Sequence, residues 1–298
     1  MLNATTATGT TAIGTQALNT LISGIDNTAV GSAALYSNTT GTKNTAVGRE
    51  TLHANTTGTE NTALGYVALQ DNTTGVNNVA LGRAAIGNNI DGNNNSAVGH
   101  NALRLNTTGD FNAALGISAL YNNVSNYNTA VGGNALTANT DGADNVAIGH
   151  DALKTNTTVS KNTAVGKAAM ELTTTGGENT AIGYSALYAN TTGPYNTAVG
   201  RSALSANTVG NRNVAVGYQS MGSGINVGQK NIAIGYQAGL PITSGVRNVI
   251  VGDEAGLAMT TGGTNTIVGT EAGKSIVTTG DNTIVGNEAG KLNTSTLT

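Results

Sequence analysis

The side chains able to do chemistry are few, and their spacing points away from catalysis. Three histidines, His53, His100 and His150, are the natural general bases and metal ligands, and the chain has no cysteine. His100 and His150 share one phase of a repeat but lie three units apart. That is about 14 Å at the spacing of paired strands, too far for one metal ion to hold both. Each is expected to be a solvated surface side chain. Glu254, Glu271 and Glu288 recur at one phase in adjacent units and predict a stacked row of carboxylates. Such a row could hold a cation or work as an acid–base pair. Lys274 and Lys291 stand near enough to neutralise it, so a charged face is the expectation. No Ser, His and Asp set stands out, and no glycine-rich stretch opens a helix with the lysine of a phosphate loop. The expectation is no enzyme, no metal site and no cofactor. Tyr66, Tyr184, Tyr218 and Tyr236 share a phase and are the candidate contacts for a surface ligand. A ring there can stack on a sugar or cover the flank of a neighbouring coil.

All of these phases belong to one repeat. The phrase Asn44-Thr45-Ala46-Val47-Gly48 returns in 17 copies, its glycine falling at positions from Gly14 to Gly286. Successive glycines are 17 residues apart, except for 16 between Gly116 and Gly132 and 18 between Gly217 and Gly235. A period this regular marks a repeat architecture before local propensity is consulted. Counted from its Asn, the unit reads N-T-A-V-G-x-x-A-L-x-x-N-T-T-G-x-x. It is too short for a strand–helix–strand unit of about 30 residues. It suits one coil of a parallel β-solenoid, so the predicted fold is all-β, a β-roll of 17 coils over 10–290. Residues 1–9 form an N-terminal extension and 291–298 a C-terminal tail. Whether 201–207 and its equivalents make a second strand or a helical turn stays open.

Within the unit, position 1 is Asn in all copies but the first, where Thr10 stands. A side-chain amide repeated at one phase predicts a hydrogen-bonded ladder through Asn44, Asn61, Asn78, Asn95, Asn162 and Asn196. Position 4 is always Val, Ile or Leu. With the apolar pair at positions 8 and 9 it is the expected core: Val47, Leu64, Val131, Val165, Val199, Leu204 and Val268. Asn-Thr-Thr-Gly at positions 12 to 15 has the chemistry of a turn. In the last four units position 9 becomes Gly239, Gly256, Gly273 and Gly290, and in the last three position 3 becomes Ile250, Ile267 and Ile284. Loss at one phase matched by gain at another means that the two share a space. Position 3 is then buried as well. Because neighbouring strand residues face opposite ways, Ala46, Ala198, Ile250, Ile267 and Ile284 become the expected face against a second chain. A looped path that turns positions 3 and 4 to one side is the alternative.

Composition agrees with thin, closely stacked layers: 42 glycines, 3% aromatic and 10% charged residues among 298. The net charge of −3 gives no electrostatic case for nucleic acid or an anionic membrane. Residues 1–9 have neither a basic start nor an apolar run, so no Sec-type signal is expected. No apolar stretch approaches the ~20 residues of a membrane span.

Asn-Thr-Ala-Val-Gly, Asn-Val-Ala-Ile-Gly at 145–149 and the run at 196–208 resemble two known groups of repeats. These are the head repeats of YadA-like trimeric autotransporter adhesins and the related repeats of bacteriophage tail-fibre proteins. The resemblance covers essentially all of 10–290, and its motif is low in complexity. It implies a left-handed parallel β-roll, three chains around a common axis, and attachment to a cell surface, outside the cell or on a virion. The unit here is longer than in those heads, and no signal peptide, heptad stalk or anchor is seen, which favours a phage fibre or an excised segment. The expected function is therefore the rigid shaft of a trimeric fibre or adhesin, with itself as partner and a surface glycan or protein as receptor. Two alternatives stand beside it: a filament built by end-to-end stacking of open coils, and an ice-binding solenoid using its threonine rows.

Overall fold

The computed structural model describes residues 8–292 and divides them between two compact units, Met1–Asn145 and Val146–Thr298. The outermost parts of the expected extension and tail, 1–7 and 293–298, lie outside the described residues. The first unit contains β1 (Thr11–Ile13), β2 (Thr28–Val30), β3 (Thr45–Val47), β4 (Thr62–Leu64), β5 (Val79–Leu81), β6 (Ser96–Val98), β7 (Ala113–Leu115) and β8 (Thr129–Val131). The second contains β9 (Val146–Ile148), β10 (Thr163–Val165), β11 (Thr180–Ile182), β12 (Thr197–Val199), β13 (Val214–Val216), β14 (Ile232–Ile234), β15 (Val249–Val251), β16 (Thr266–Val268) and β17 (Thr283–Val285).

Within each unit every strand pairs in parallel with the next, one repeat along, with like positions opposite each other. Ala46 of β3, for example, lies between Ala29 and Ala63. The chain is thus a parallel β-solenoid with one short strand per coil, as the repeat implies. Ladder bonds run beyond the strand ends. The Thr28 N–H donates to the Asn44 carbonyl at 2.8 Å, and the Gly48 N–H to the Val30 carbonyl at 2.8 Å.

Glycine ends each strand for a geometric reason. At Gly65 φ is +137°, and a Cβ there would sit 2.6 Å from the carbonyl oxygen of Gly82 in the next coil. Only a residue without a side chain lets the two backbones come so close. Positions 6 to 11, left open by the sequence, form neither strand nor helix. They are a run of turns in which positions 7 and 9 adopt left-handed φ, +55° at Glu50 and +51° at Leu52. Such angles cost a non-glycine residue about 1–2 kcal/mol. Neighbouring coils hold them in place: the Glu50 N–H donates down to Ser32 at 2.9 Å, and the Leu52 N–H donates up to Ala68 at 3.0 Å.

The strand has a different inside from the expected one. Position 3 faces the interior of the single chain: Ala46, Ala198, Ile250 and Ile267 are fully buried, and Ile284 is 3% exposed. They fill the coil and are not available as an inter-chain face. Position 4 turns outward, with Leu64 48% exposed and Val47, Val131, Val165, Val199 and Val268 half-buried. Of the expected core only Leu204, at position 9, is internal. The reason is steric. The coil is narrow, and Leu at position 9 already occupies the space beneath the strand, leaving room for alanine alone. Where position 9 is Gly, a Cβ at Gly273 would come within 3.2 Å of Ile267 Cδ1 and 3.3 Å of Ile284 Cδ1. Positions 3 and 9 share one space inside one chain.

Candidate functional site

Two ladders of buried amides brace the coil from within. At position 1, Asn44 Nδ2 donates to the Gly58 carbonyl at 2.8 Å, while its Oδ1 accepts the backbone N–H of Asn61 at 3.0 Å. Asn61, Asn78, Asn95 and Asn196 repeat the bond to the glycine carbonyl at 2.7 to 2.8 Å, and Asn162 makes it at 3.1 Å. A second ladder at position 12 shares that acceptor: Asn55 Nδ2 reaches the Gly58 carbonyl at 3.1 Å and Asn38 Oδ1 at 2.8 Å. Buried amides this well paired hold one register, because a slip would leave each uncompensated. They are framework, closed to solvent.

Two of the exposed surfaces carry the aliphatic row and the candidate tyrosines. The first is the outer face of the strands, formed by positions 2 and 4. Threonine dominates position 2, and position 4 is aliphatic in every strand; neither carries a charged residue in any repeat. Exposure is 67% at Val285, 60% at Ile13 and 50% at Leu115.

The second surface is carried by positions 6, 7 and 10. Here the tyrosines stack along the coil axis. Tyr66 has Arg49 and Arg83 over its ring at 5.8 and 5.9 Å. In the second unit Arg201 lies 5.6 Å from the ring of Tyr184 and 5.8 Å from that of Tyr218, and Tyr218 stacks on Tyr236 at 5.3 Å. Both faces of Tyr66 and Tyr218 are therefore covered by neighbouring coils, so neither offers a free face to a sugar. Grooves run between the position 6 and position 10 rows. One in the first unit, of about 420 Å³, is lined by Tyr66, Arg83, His100, Asn101 and Arg104. Another, of about 430 Å³ in the second unit, has Tyr184 and Tyr188 on its walls.

The histidines stand apart. His53 stacks on Tyr36 at 5.1 Å, and His150 Nδ1 lies 2.7 Å from the Asp151 carboxylate. Among the described residues no group of three His, Cys, Asp or Glu side chains could hold a metal ion. The glutamate row is interleaved with lysine: Lys274 pairs with Glu254 and, at 3.1 Å, with Glu271, while Lys291 pairs with Glu271 and, at 3.4 Å, with Glu288. Hydrogen bonds from Lys291 and then Lys274 hold the Glu271 carboxyl below its ordinary value. Among the described residues no helix is long and apolar enough to cross a membrane.

Sequence reasoning missed the grooves. Their signal was present as arginine at position 6 in one repeat and at position 10 in the next, Arg83 and Arg104. No protein-family model matches this chain, and a search among characterised proteins returns no relative.

Proposed function

We propose that this protein is a non-catalytic shaft for attachment, in which three copies of the solenoid pack side by side through the outer strand face. The observation that carries this is the position 4 row. Val, Ile or Leu stands there in all 17 repeats, yet in the single chain it lies outside the core. Monomeric proteins rarely leave long contiguous apolar surface in water, and nothing inside the coil demands a branched aliphatic at that phase. A partner chain laid on the row would cover it. The resemblance of the repeats to those of trimeric adhesin heads and phage fibres favours three copies and a place outside the cell or on a virion.

Native mass measurement tests this. The wild-type chain is expected at three chains per particle. Leu64→Asp with Leu115→Asp is expected to give single chains that keep the wild-type circular dichroism spectrum. A wild-type monomer, or a double variant that still assembles, would refute the packing.

A second reading, ice binding, is favoured by one feature: Thr at position 2 of most strands and an aliphatic at position 4 share the same outward face, so hydroxyl and methyl groups stand side by side there. Thermal hysteresis of the wild-type chain distinguishes it.

A further inference from the structure

The groove of the first unit has a cationic end with no anion of its own, and we propose that it binds an acidic sugar. It runs over four coils. Glu50 stands at one end, then Tyr66, Val67 and Gln70, then Arg83 and Ala84, then His100, Asn101 and Arg104. Glu50 is its one carboxylate, and that is already taken. Arg49 donates to Glu50 Oε1 through Nε at 3.1 Å and through a terminal nitrogen at 2.8 Å, and Gln70 donates to Oε2 at 3.2 Å.

Among the described residues Arg83 and Arg104 have no carboxylate partner. Arg83 lies over the Tyr66 ring at 5.9 Å. Arg104 has a single long contact, 3.5 Å to Asn101 Oδ1, and its buried Nε meets no acceptor. The two arginines come from adjacent coils and line the same groove, together with Ala84 and Asn101. Guanidinium geometry matches the two oxygens of a carboxylate or sulfate. An oxyanion in the groove would supply the acceptor that Arg104 Nε lacks.

The rest of the lining identifies what carries that group. His100, Asn101 and Gln70 offer donors and acceptors suited to hydroxyl groups. The volume, about 420 Å³, falls within the range of small-ligand sites. A nucleobase would need an aromatic face, and both faces of Tyr66 are covered. An added peptide strand would need unpaired backbone, whereas Glu50, Val67, Ala84 and Asn101 all donate their N–H groups to the preceding coil. A pyranose bearing a carboxylate or sulfate satisfies the site. The site lies within one chain and does not depend on how chains pack.

Titration calorimetry on the intact protein tests this with four probes: a hyaluronan hexasaccharide, a heparin hexasaccharide, neutral maltohexaose and sodium sulfate. One or both acidic oligosaccharides are expected to bind, and maltohexaose not to. Arg83→Ala and Arg104→Gln are each expected to weaken binding about tenfold or more, while Arg212→Ala, which removes a guanidinium of the second unit that lies 5.8 Å from the Tyr195 ring, leaves it unchanged. Equal binding of maltohexaose would overturn the proposal, as would binding of free sulfate as tight as that of the oligosaccharides. So would indifference to both groove substitutions, or an equal loss on replacing Arg212. Native mass on the same samples separates this outcome from that of the packing proposal, since neither arginine lies on the strand face.

Discussion

In the coil of 61–77, Leu69 fills the interior and Ala63 leaves it room; in the coil of 265–281, Gly273 vacates that space and Ile267 fills it from the strand side. Position 12 changes too. Asn72 of the amide ladder in the first coil is matched by the buried Ile276 in the second, and Ile242 and Met259 stand likewise in the coils before it. Yet the backbone repeats: position 9 has φ of +49° at Leu69 and +55° at Gly273. The leucine coils accept a left-handed branched side chain and gain a second amide ladder. The glycine coils shed that strain and give up the ladder for aliphatic packing. Common to both are the position 1 Asn and the position 5 Gly, which form the frame; the side chains inside are an exchangeable filling.

The largest expected effect comes from breaking the frame, and it should be equal in both kinds of coil. A Cβ at Gly65 would lie 2.6 Å from the Gly82 carbonyl oxygen, and one at Gly252 2.3 Å from that of Gly269, each with φ beyond +130°. Gly65→Ala and Gly252→Ala should each destabilise by more than about 3 kcal/mol, since the clash meets backbone and the angle itself is strained. Hydrogen exchange at the adjoining strands is the suitable probe, because solenoids can open locally. Marked loss at one site and none at the other would mean that the two kinds of coil do not share a frame.

That frame was the part most legible in the sequence. Asn and Gly return at fixed phase because a coil admits neither slip nor side chain at those points, and the period alone yields the parallel in-register sheet. The sharing of space between positions 3 and 9 was legible too, from the exchange of Leu and Ala for Gly and Ile. What could not be read was which strand face is inside. A period of two separates Ala46 from Val47 but does not say which points inward, and size suggests valine. The narrow coil decides for alanine because Leu52 comes up from the opposite wall. The grooves were hidden for a different reason. Positions 6 and 10 flank position 7 only because residues such as Glu50 and Leu52 take left-handed angles, and neither residue type announces them.

Exchanging the filling should cost less than breaking the frame, and should be reversible. Leu120→Ala removes a fully buried side chain with an alanine strand above it, for about 2–5 kcal/mol. In the other direction, a Cβ at Gly256 would lie 3.5 Å from Ile250 Cδ1 and 3.6 Å from Ile267 Cδ1, so the branch of a leucine would land on those methyl groups. Gly256→Leu should therefore destabilise by about 1–3 kcal/mol. Adding Ile250→Ala and Ile267→Ala should recover most of that loss, turning a glycine coil toward the leucine kind. Additive losses in the triple variant, measured by denaturant melting, would show that the two fillings do not compete for one space.

The smallest difference lies on the outside, where the glycine coils carry an ion ladder from Glu254 through Lys274, Glu271 and Lys291 to Glu288. The first unit has instead separate pairs, Arg49–Glu50 at 2.8 Å and the solvent-exposed Lys43–Glu60 at 3.2 Å. Glu271 is held below the ordinary carboxylate range by hydrogen bonds from Lys291 and then Lys274. Lys274 is raised chiefly by its bond to Glu254, and Lys291 by its bond to Glu271. A depressed carboxylate contributes stability that is complete above its ordinary pKa and lost as pH falls through the lowered one. A raised lysine contributes stability that is complete below its ordinary pKa and lost as pH rises through the raised one. The ladder should thus act at full strength between the two ranges and fade at both extremes. Because its members are partly exposed, salt will screen it. Lys274→Gln should lower the melting temperature slightly at neutral pH and low salt, and leave it unchanged at high salt or once Glu271 is protonated. Lys43→Gln should do less under all of these conditions. A deficit in Lys274→Gln that persists in acid or high salt would assign the role of Lys274 to packing of its aliphatic stem along the coil.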